Sequence, residues 1–538
     1  MKMKNLICGV LVTAILFSII GCGRAQNYSY LEPDEYQAGI ILIDSEDESE
    51  DDSYDIMYDA ELSPQDDNSD WRNAPTTPNE EYARNIETGF VNTRTSPLST
   101  FSSSVNTASY SNMRRFIHNG AAPMGVRIEE LVNYFNYDYP KPRKNSSNPF
   151  TINAEVGECP WNKDNLLAKI GIQGESLQEK SPNNIVFLID VSGSMNTPNK
   201  MPLLKESFKL LIENLDEKDR ISIVTYAGNE KTLADSIPGD QHNRLNQIIN
   251  SLRTGGTTAG AQALRSAYAL AEKNFIKDGN NRIVLATDGD FNVGESDINS
   301  LIDLVEQKRN NGVFISVLGY GMGNLKDDMM EAIANHGNGN YAYIDNIQEA
   351  RKVLSDEFDG AMYVIAKDLK IQIEFNPATV QSYRLIGYNN RRLSNEEFID
   401  DQKDAGDVGA GHSVTAFYEI VPQDGDGGSD DLKYQTITPT GSDDYMTIKV
   451  RYKRPNDYES RLTEMTVTKN YYTRTPSQNF VFASAVAEFG LILTDSNYMG
   501  NANLTSVVYR ADRSKGEDSF GLRQEFVELV KKYKQITD

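Results

Sequence analysis

The stretch of sequence that decides the fold is residues 184–194, Asn-Ile-Val-Phe-Leu-Ile-Asp-Val-Ser-Gly-Ser. Its unbroken apolar run predicts a buried strand of a parallel sheet. The carboxylate of Asp190 and the hydroxyls of Ser192 and Ser194 follow on the turn after this strand. These groups are hard oxygen donors, which Mg²⁺ and Ca²⁺ prefer. Because ligands of open α/β sheets bind at the carboxyl ends of the strands, the stretch predicts a metal-centred recognition site.

Two further loops carry residues of the same kind. Thr257 lies in a glycine-rich loop, residues 255–260, that enters a predicted helix. Asp288 follows the apolar strand predicted for residues 283–286, again at a carboxyl end. If the three loops meet at one edge of a parallel sheet, their side chains converge.

These three segments together resemble the metal-ion-dependent adhesion site of von Willebrand factor type A domains. The pattern of that family is Asp-x-Ser-x-Ser, then a threonine, then an aspartate, and it maps without departure onto Asp190, Ser192, Ser194, Thr257 and Asp288. The resemblance implies that the serines and the threonine are direct or switchable ligands of a divalent cation. It also implies that the two aspartates act mainly through bound water. Segments around the motif resemble a bacterial lipoprotein subfamily in which a type A domain lies between characteristic N-terminal and C-terminal regions.

The donor set also indicates the cation and the partner. Mg²⁺ is expected, with Mn²⁺ or Ca²⁺ as alternatives that depend on cavity size. Neutral hydroxyls leave the charge of such an ion only partly compensated, so an open coordination position attracts an anionic group. The expected partner is therefore a protein that offers an Asp or Glu carboxylate.

The pattern around the motif predicts an α/β fold with a doubly wound, mostly parallel, Rossmann-like sheet. Apolar strands at 185–189, 221–225, 283–286, 313–318 and 341–344 alternate with helical patterns. Period-two alternation at 150–156, 369–375, 414–420 and 446–452 predicts a β-rich flanking module, and that its two parts pair into one sheet system is a hypothesis. The predicted divisions are a signal peptide (1–21), a disordered acidic tether (22–100), an N-terminal flanking region of helices then strands (101–182), the type A domain (183–362), a β-rich C-terminal flanking region (363–475) and a helical tail (476–538).

The N-terminal sequence predicts an export signal. Lys2 and Lys4 precede an apolar run over 6–20 that is too short for a good membrane span, and Gly21-Cys22 follows it. This arrangement resembles the lipobox of bacterial lipoproteins, in which Cys22 becomes the lipidated first residue; an ordinary signal peptide is the alternative. We therefore expect a cell-envelope protein, held to a bacterial membrane by lipid and located at the outer membrane or cell surface.

Charge and cysteine content narrow the function further. The formal net charge is −25, and thirteen acidic residues but no basic residue lie between Asp44 and Asp70. Such a block cannot fold alone, and the acidic balance argues against a nucleic-acid partner. Processing would remove Cys8 and lipidate Cys22, which leaves Cys159 as the one free cysteine, so we expect no intramolecular disulfide and a buried structural thiol.

Three functions fit the motif, and the sequence favours a binding module that is not an enzyme. The alternatives are a metal-dependent hydrolase that uses Asp190, or an envelope scaffold with a vestigial metal site. Against a hydrolase, Ser192 stands where α/β phosphatases carry a second aspartate, and no phosphate loop ends in Gly-Lys-Ser or Gly-Lys-Thr. The histidines lie in separate segments without zinc spacing: His118, His242, His336 and His412.

Overall fold

The computed structural model describes residues 80–82, 86–144, 146–177, 179–256, 260–289, 298–323, 325–423, 441–455, 457 and 459–538. The predicted signal peptide, Cys22, most of the predicted tether and Thr257 lie outside the described residues. Among the helices of the described ranges, none combines the length and apolar character that a membrane crossing requires.

The strands of the described residues run in chain order as follows: β1 (Val91–Asn92), β2 (Leu98–Ser102), β3 (Phe150–Glu158), β4 (Leu166–Gly174), β5 (Asn183–Asp190), β6 (Arg220–Ala227), β7 (Asn229–Pro238), β8 (Asn280–Thr287), β9 (Val313–Tyr320), β10 (Tyr341–Ile344), β11 (Val364–Phe375), β12 (Val380–Ile386), β13 (Arg392–Leu393), β14 (Val408–Gly409), β15 (Ser413–Pro422), β16 (Met446–Lys453) and β17 (Arg461–Val467).

The α-helices of the same ranges are α1 (Ala108–His118), α2 (Ile128–Asn133), α3 (Met201–Ile212), α4 (His242–Ser251), α5 (Gly260–Lys273), α6 (Ile298–Asn310), α7 (Asp327–His336), α8 (Ile347–Arg351), α9 (Phe358–Met362), α10 (Asn395–Ile399), α11 (Gln478–Leu493), α12 (Leu504–Arg513) and α13 (Leu522–Thr537). A π-helical segment, Lys352–Asp356, connects α8 to the turn before α9.

The central sheet has the strand order β10-β9-β8-β5-β6-β7, and its neighbours are parallel except for β7, which is antiparallel to β6. Alternate residues of β5 face opposite layers of helices. Phe187 packs on Phe208 of α3, with ring centroids 4.5 Å apart, whereas Leu188 belongs to the apolar cluster that contains Leu264 of α5. Helices therefore cover both faces, and the predicted doubly wound α/β fold is confirmed. Both faces are buried, which explains why the strands are apolar throughout.

The flanking regions form a β-sandwich of two antiparallel sheets. One sheet has the order β1-β12-β15-β4-β3, and the other has the order β13-β2-β11-β16-β17 with β14 paired to β11. Their inner faces pack together, as where the ring of Phe375 lies 4.1 Å from that of Tyr383. Since β4 precedes the central sheet in the chain and its partner β15 follows it, the hypothesis that the two flanks share one sheet system is confirmed.

The predicted disordered tether, 22–100, is wrong at its C-terminal end, where the chain forms two strands. β1 pairs with β12, and β2 pairs with β11 over Leu98–Ser102, with Phe101 fully buried. The segment 91–102 is rich in Ser, Thr and Asn, so its composition suggests a linker. Its order comes from backbone pairing with strands nearly three hundred residues away, which local composition does not reveal.

The helical tail packs with the N-terminal helices around a second apolar core. Phe135 lies 5.0 Å from Phe482 of α11 and 5.8 Å from Phe526 of α13, measured between ring centroids. Phe135 lies just beyond the short helix α2, which covers only Ile128–Asn133. The predicted buried thiol is confirmed, because Cys159 lies in this core and its burial raises the pKa of the thiol.

The central α/β domain is inserted into the sandwich between β4 and β11. Tyr363, the residue before β11, joins the two connections, because its hydroxyl donates to the Ser181 carbonyl at 3.0 Å and accepts from Asn183 Nδ2 at 2.8 Å. The chain therefore enters and leaves the inserted domain at adjoining points.

Candidate metal centre

The end of β5 presents a carboxylate and two hydroxyls on one tight turn. Asp190 is fully buried, and its Oδ1 accepts from the backbone N–H of Ser192 at 2.8 Å. This bond turns the chain sharply after the strand and brings the Ser192 and Ser194 hydroxyl oxygens to 2.9 Å from each other. Three oxygen-bearing side chains of the predicted site therefore lie together.

Asp288 supplies a second buried carboxylate from the end of the neighbouring strand β8. The preceding residue, Thr287, donates from its hydroxyl to Asp190 Oδ2 at 3.3 Å, which connects the two strand ends. Burial raises the pKa of Asp190 to about 6; the bonds from Ser192 and Thr287 oppose this rise, and the negative charge of Asp288 adds to it. The two carboxylates thus lie close enough for their charges to interact, in a setting that favours a compensating positive charge.

The third loop approaches the first through its glycines. The backbone N–H of Gly255 donates to the Val191 carbonyl at 2.8 Å, and the N–H of Gly193 donates to the Gly256 carbonyl at 3.3 Å. Gly256 has a φ of +89°, and a Cβ there would lie 2.8 Å from the Ala227 carbonyl oxygen, so only glycine fits. These contacts fix the chain just before Thr257, whose own position lies outside the described residues.

Lys200 is a member of the site that the sequence analysis missed. Its Nζ lies 2.8 Å from Asp288 Oδ2, and both side chains are buried. The two residues are far apart in the chain, and no local motif links the turn before α3 to the end of β8. A lysine just before a helix carries no pattern that would have predicted this contact.

The residues present fit the divalent cation that the motif implies. Asp190, Ser192, Ser194 and Asp288 offer only oxygen atoms, the donors that Mg²⁺, Mn²⁺ and Ca²⁺ take in proteins. The described ranges contain no group of three or more His, Cys, Asp or Glu side chains that could hold a metal. A cation at this edge would therefore depend on the hydroxyls as much as on the carboxylates.

His242, His336 and His412 make their contacts in other parts of the protein. His336 Nδ1 lies 2.7 Å from Glu306, His242 Nε2 lies 3.1 Å from the Leu215 carbonyl, and His412 is in the sandwich beside Gly360. Each has a separate local environment, in agreement with their separate positions in the sequence.

Three family models match successive parts of the chain. The model described as von Willebrand factor covers residues 76–169, the von Willebrand factor type A domain covers 184–356, and the C-terminal region of the uncharacterized protein YfbK covers 360–536. The boundary between the last two lies close to Tyr363, where the inserted domain ends.

Among similar proteins, the uncharacterized protein YfbK of Escherichia coli (strain K12) is 41% identical over 455 residues, which cover 82% of this chain and 79% of that protein. Inter-alpha-trypsin inhibitor heavy chain H2 of Mesocricetus auratus is 28% identical over 166 residues, 29% of this chain and only 17% of that protein. A solved structure, von Willebrand factor type A from Catenulispora acidiphila, covers 71% of this chain and 91% of its own at 16% identity, with a TM-score of 0.41. The fold of the central domain is defined by the strand order of its sheet.

Proposed function

The chain belongs to the family of von Willebrand factor type A domain proteins that includes YfbK of Escherichia coli, and from this premise we propose a lipid-anchored envelope protein that grips an acidic partner through a divalent cation. As a type A domain protein, it has an interaction or adhesion role. The observation that supports the metal-dependent mode is the meeting of Asp190, Ser192, Ser194 and Asp288 at the carboxyl edge of the central sheet.

The chemistry of the proposed site follows from its donors. Asp190, Ser192 and Ser194 on one turn and Asp288 on the next would hold the cation, with Thr257 as a further hydroxyl ligand. When bound, the ion supplies a positive centre with an open position for an Asp or Glu side chain of another protein. The chain's own residues keep the site ready, since the Asp190–Ser192 bond and the glycine contacts of the third loop fix the turns in place. Mg²⁺ is the proposed ion, and the mode of action is binding without catalysis.

The first test is thermal unfolding of chelator-treated protein on addition of Mg²⁺, Mn²⁺ or Ca²⁺. Binding to the native state stabilises it by about 2.7 kcal/mol when the free ion is at about 100 times its Kd, so the Tm should rise. Asp190→Asn should abolish this rise. Asp219→Asn is the matched control, because Asp219 is also buried but accepts from Asn183 at the opposite, amino end of the strands. An equal rise in both variants would contradict the proposed site.

The partner is tested by capture from an envelope extract on the immobilised protein. We expect proteins that bind in Mg²⁺, leave on addition of chelator and do not bind the Asp190→Asn variant, while the Asp219→Asn variant retains them. Partners held equally under all these conditions would refute a metal-bridged interaction.

The proposed anchor rests on the resemblance of the segment before Cys22 to a lipobox. Cys22→Ser should remove incorporation of a labelled fatty acid and shift the protein from the membrane fraction to the soluble fraction. Unchanged labelling in this variant would overturn the assignment of Cys22.

A further inference from the structure

Lys200 occupies a position at the candidate site that the motif does not assign. It lies in the turn between Ser194 and α3, where its backbone N–H donates to the Thr197 carbonyl at 3.0 Å. Its side chain then runs inward, so that the ammonium reaches Asp288 Oδ2 at 2.8 Å and the residue is only 5% exposed. A lysine is rarely buried to this extent unless it is paired.

The fold is built around this side chain. In the loop that follows β9, Gly321 has a φ of +77°, and a Cβ there would lie 2.2 Å from Cε and 2.3 Å from Cγ of Lys200. The same glycine is fixed from its other side, since the Tyr343 hydroxyl donates to its carbonyl at 2.5 Å. The lysine therefore passes through a space that exists only because residue 321 has no side chain.

The charges at the carboxyl edge of the sheet indicate the role of the Lys200 ammonium group. Asp190 and Asp288 bring two negative charges, and Lys200 neutralises one of them. A divalent cation added to these three groups leaves the site with a net charge of about +1, whereas the same site without the lysine would be neutral. A fixed positive charge paired with Asp288 would lower the affinity of the site for the ion and leave more positive charge for an incoming carboxylate.

We propose that Lys200 is a positioning residue that sets the cation affinity of this site: it holds Asp288 in place when no ion is bound, and it keeps the loaded site net positive. The inference rests on the proposed metal-dependent function. In this proposal, a residue outside the five-residue motif sets the balance between binding the ion and attracting an acidic partner.

The test is calorimetric titration of chelator-treated full-length protein with MgCl₂, together with the Tm of the metal-free protein. Lys200→Met removes the charge, so Kd for Mg²⁺ should fall by about tenfold or more, while the metal-free Tm should fall because the buried Lys200–Asp288 ion pair is lost. Lys200→Gln removes the charge but keeps a hydrogen-bond donor, and it provides the same comparison if the methionine variant fails to fold. Lys200→Arg retains the charge and should keep a Kd close to that of the wild type.

Lys352→Met is the matched control, because Lys352 is equally buried and forms a 2.8 Å ion pair with Glu357 outside the site. It should lower the Tm and leave Kd for Mg²⁺ unchanged. If the wild type binds Mg²⁺ and the neutral Lys200 variants bind it with the same Kd, the role of Lys200 is refuted while the metal site stands. If the wild type takes up no cation, the proposed function and this inference both fall.

Discussion

Arg127 and Asp327 form a buried ion pair that joins the N-terminal flank to the inserted α/β domain, with 2.6 Å between Nη1 and Oδ2. Arg127 precedes α2, and Asp327 begins α7. The same guanidinium bonds Glu130 Oε1 at 2.6 Å and lies 3.5 Å from Glu331. The guanidinium of Arg127 thus compensates carboxylates from both regions, so the flank and the domain depend on each other for stability.

We expect Arg127→Met to lower the free energy of unfolding by about 3–5 kcal/mol, because it leaves buried carboxylates without a cation. Urea unfolding followed by circular dichroism measures this change. Arg461→Met is the control: Arg461 pairs with Asp457 at 2.8 Å on the surface, and its loss should cost less than about 1 kcal/mol. Equal effects of the two substitutions would show that the flank and the domain are not coupled through Arg127.

The pH dependence of stability should contain a contribution from Asp407. Burial, together with the negative charges of Asp368 and Asp404, raises the pKa of this carboxyl to about 8. Its Oδ2 is buried without a hydrogen-bond partner among the described residues. Between about pH 4, near the pKa of an unfolded aspartate, and pH 8, the native state holds a proton that the unfolded state has lost. The contribution of Asp407 to the free energy of unfolding is therefore largest below pH 4. It falls by about 1.4 kcal/mol per pH unit as the pH rises from about 4 to 8.

Asp407→Asn removes the titrating proton, so the variant should gain stability over the wild type as the pH rises from 5 to 8. Urea unfolding at each pH unit measures the gap. Asp164→Asn, on an exposed turn, should give a curve parallel to that of the wild type. A gap that stays constant or narrows towards pH 8 would show that Asp407 is not protonated in the folded protein.

The space occupied by Lys200 can be tested from the glycine side. Gly321→Ala and Gly323→Ala both place a Cβ on a backbone with positive φ, +77° and +98°, which costs about 1–2 kcal/mol in each case. Nothing lies within 4 Å of a Cβ at residue 323, whereas at residue 321 it meets Lys200. We therefore expect a larger loss of unfolding free energy from Gly321→Ala, measured in urea. Equal losses would mean that the lysine moves aside at no cost.

The core of the fold could be predicted because the strands are recognisable from their continuous apolar sequences. Residues 185–189 and 341–344 are apolar on both faces, as strands buried between two helical layers must be. β7 (Asn229–Pro238) was not predicted because this edge strand is mainly polar. Its pairing with β6 overrides a weak local pattern.

At the candidate site, too, some residues could be predicted from the sequence and others could not. Asp190, Ser192, Ser194 and Asp288 could be placed at one edge of the sheet because each follows directly from a strand end, and the described residues do meet there. Lys200 could not, because its contact with Asp288 depends on the path of the loop around Gly321. Whether Thr257 joins them stays a prediction.

The hydroxyl of Tyr363 ties the incoming connection of the inserted domain to its outgoing one. A domain held by two adjoining chain connections rotates less freely than a domain held by a single hinge. In the proposed adhesion function, force on a bound partner protein would be shared by the two connections and passed to β4 in one sheet and to β11 in the other. The two connections would thus keep the candidate metal centre at a steady orientation while the partner pulls on it.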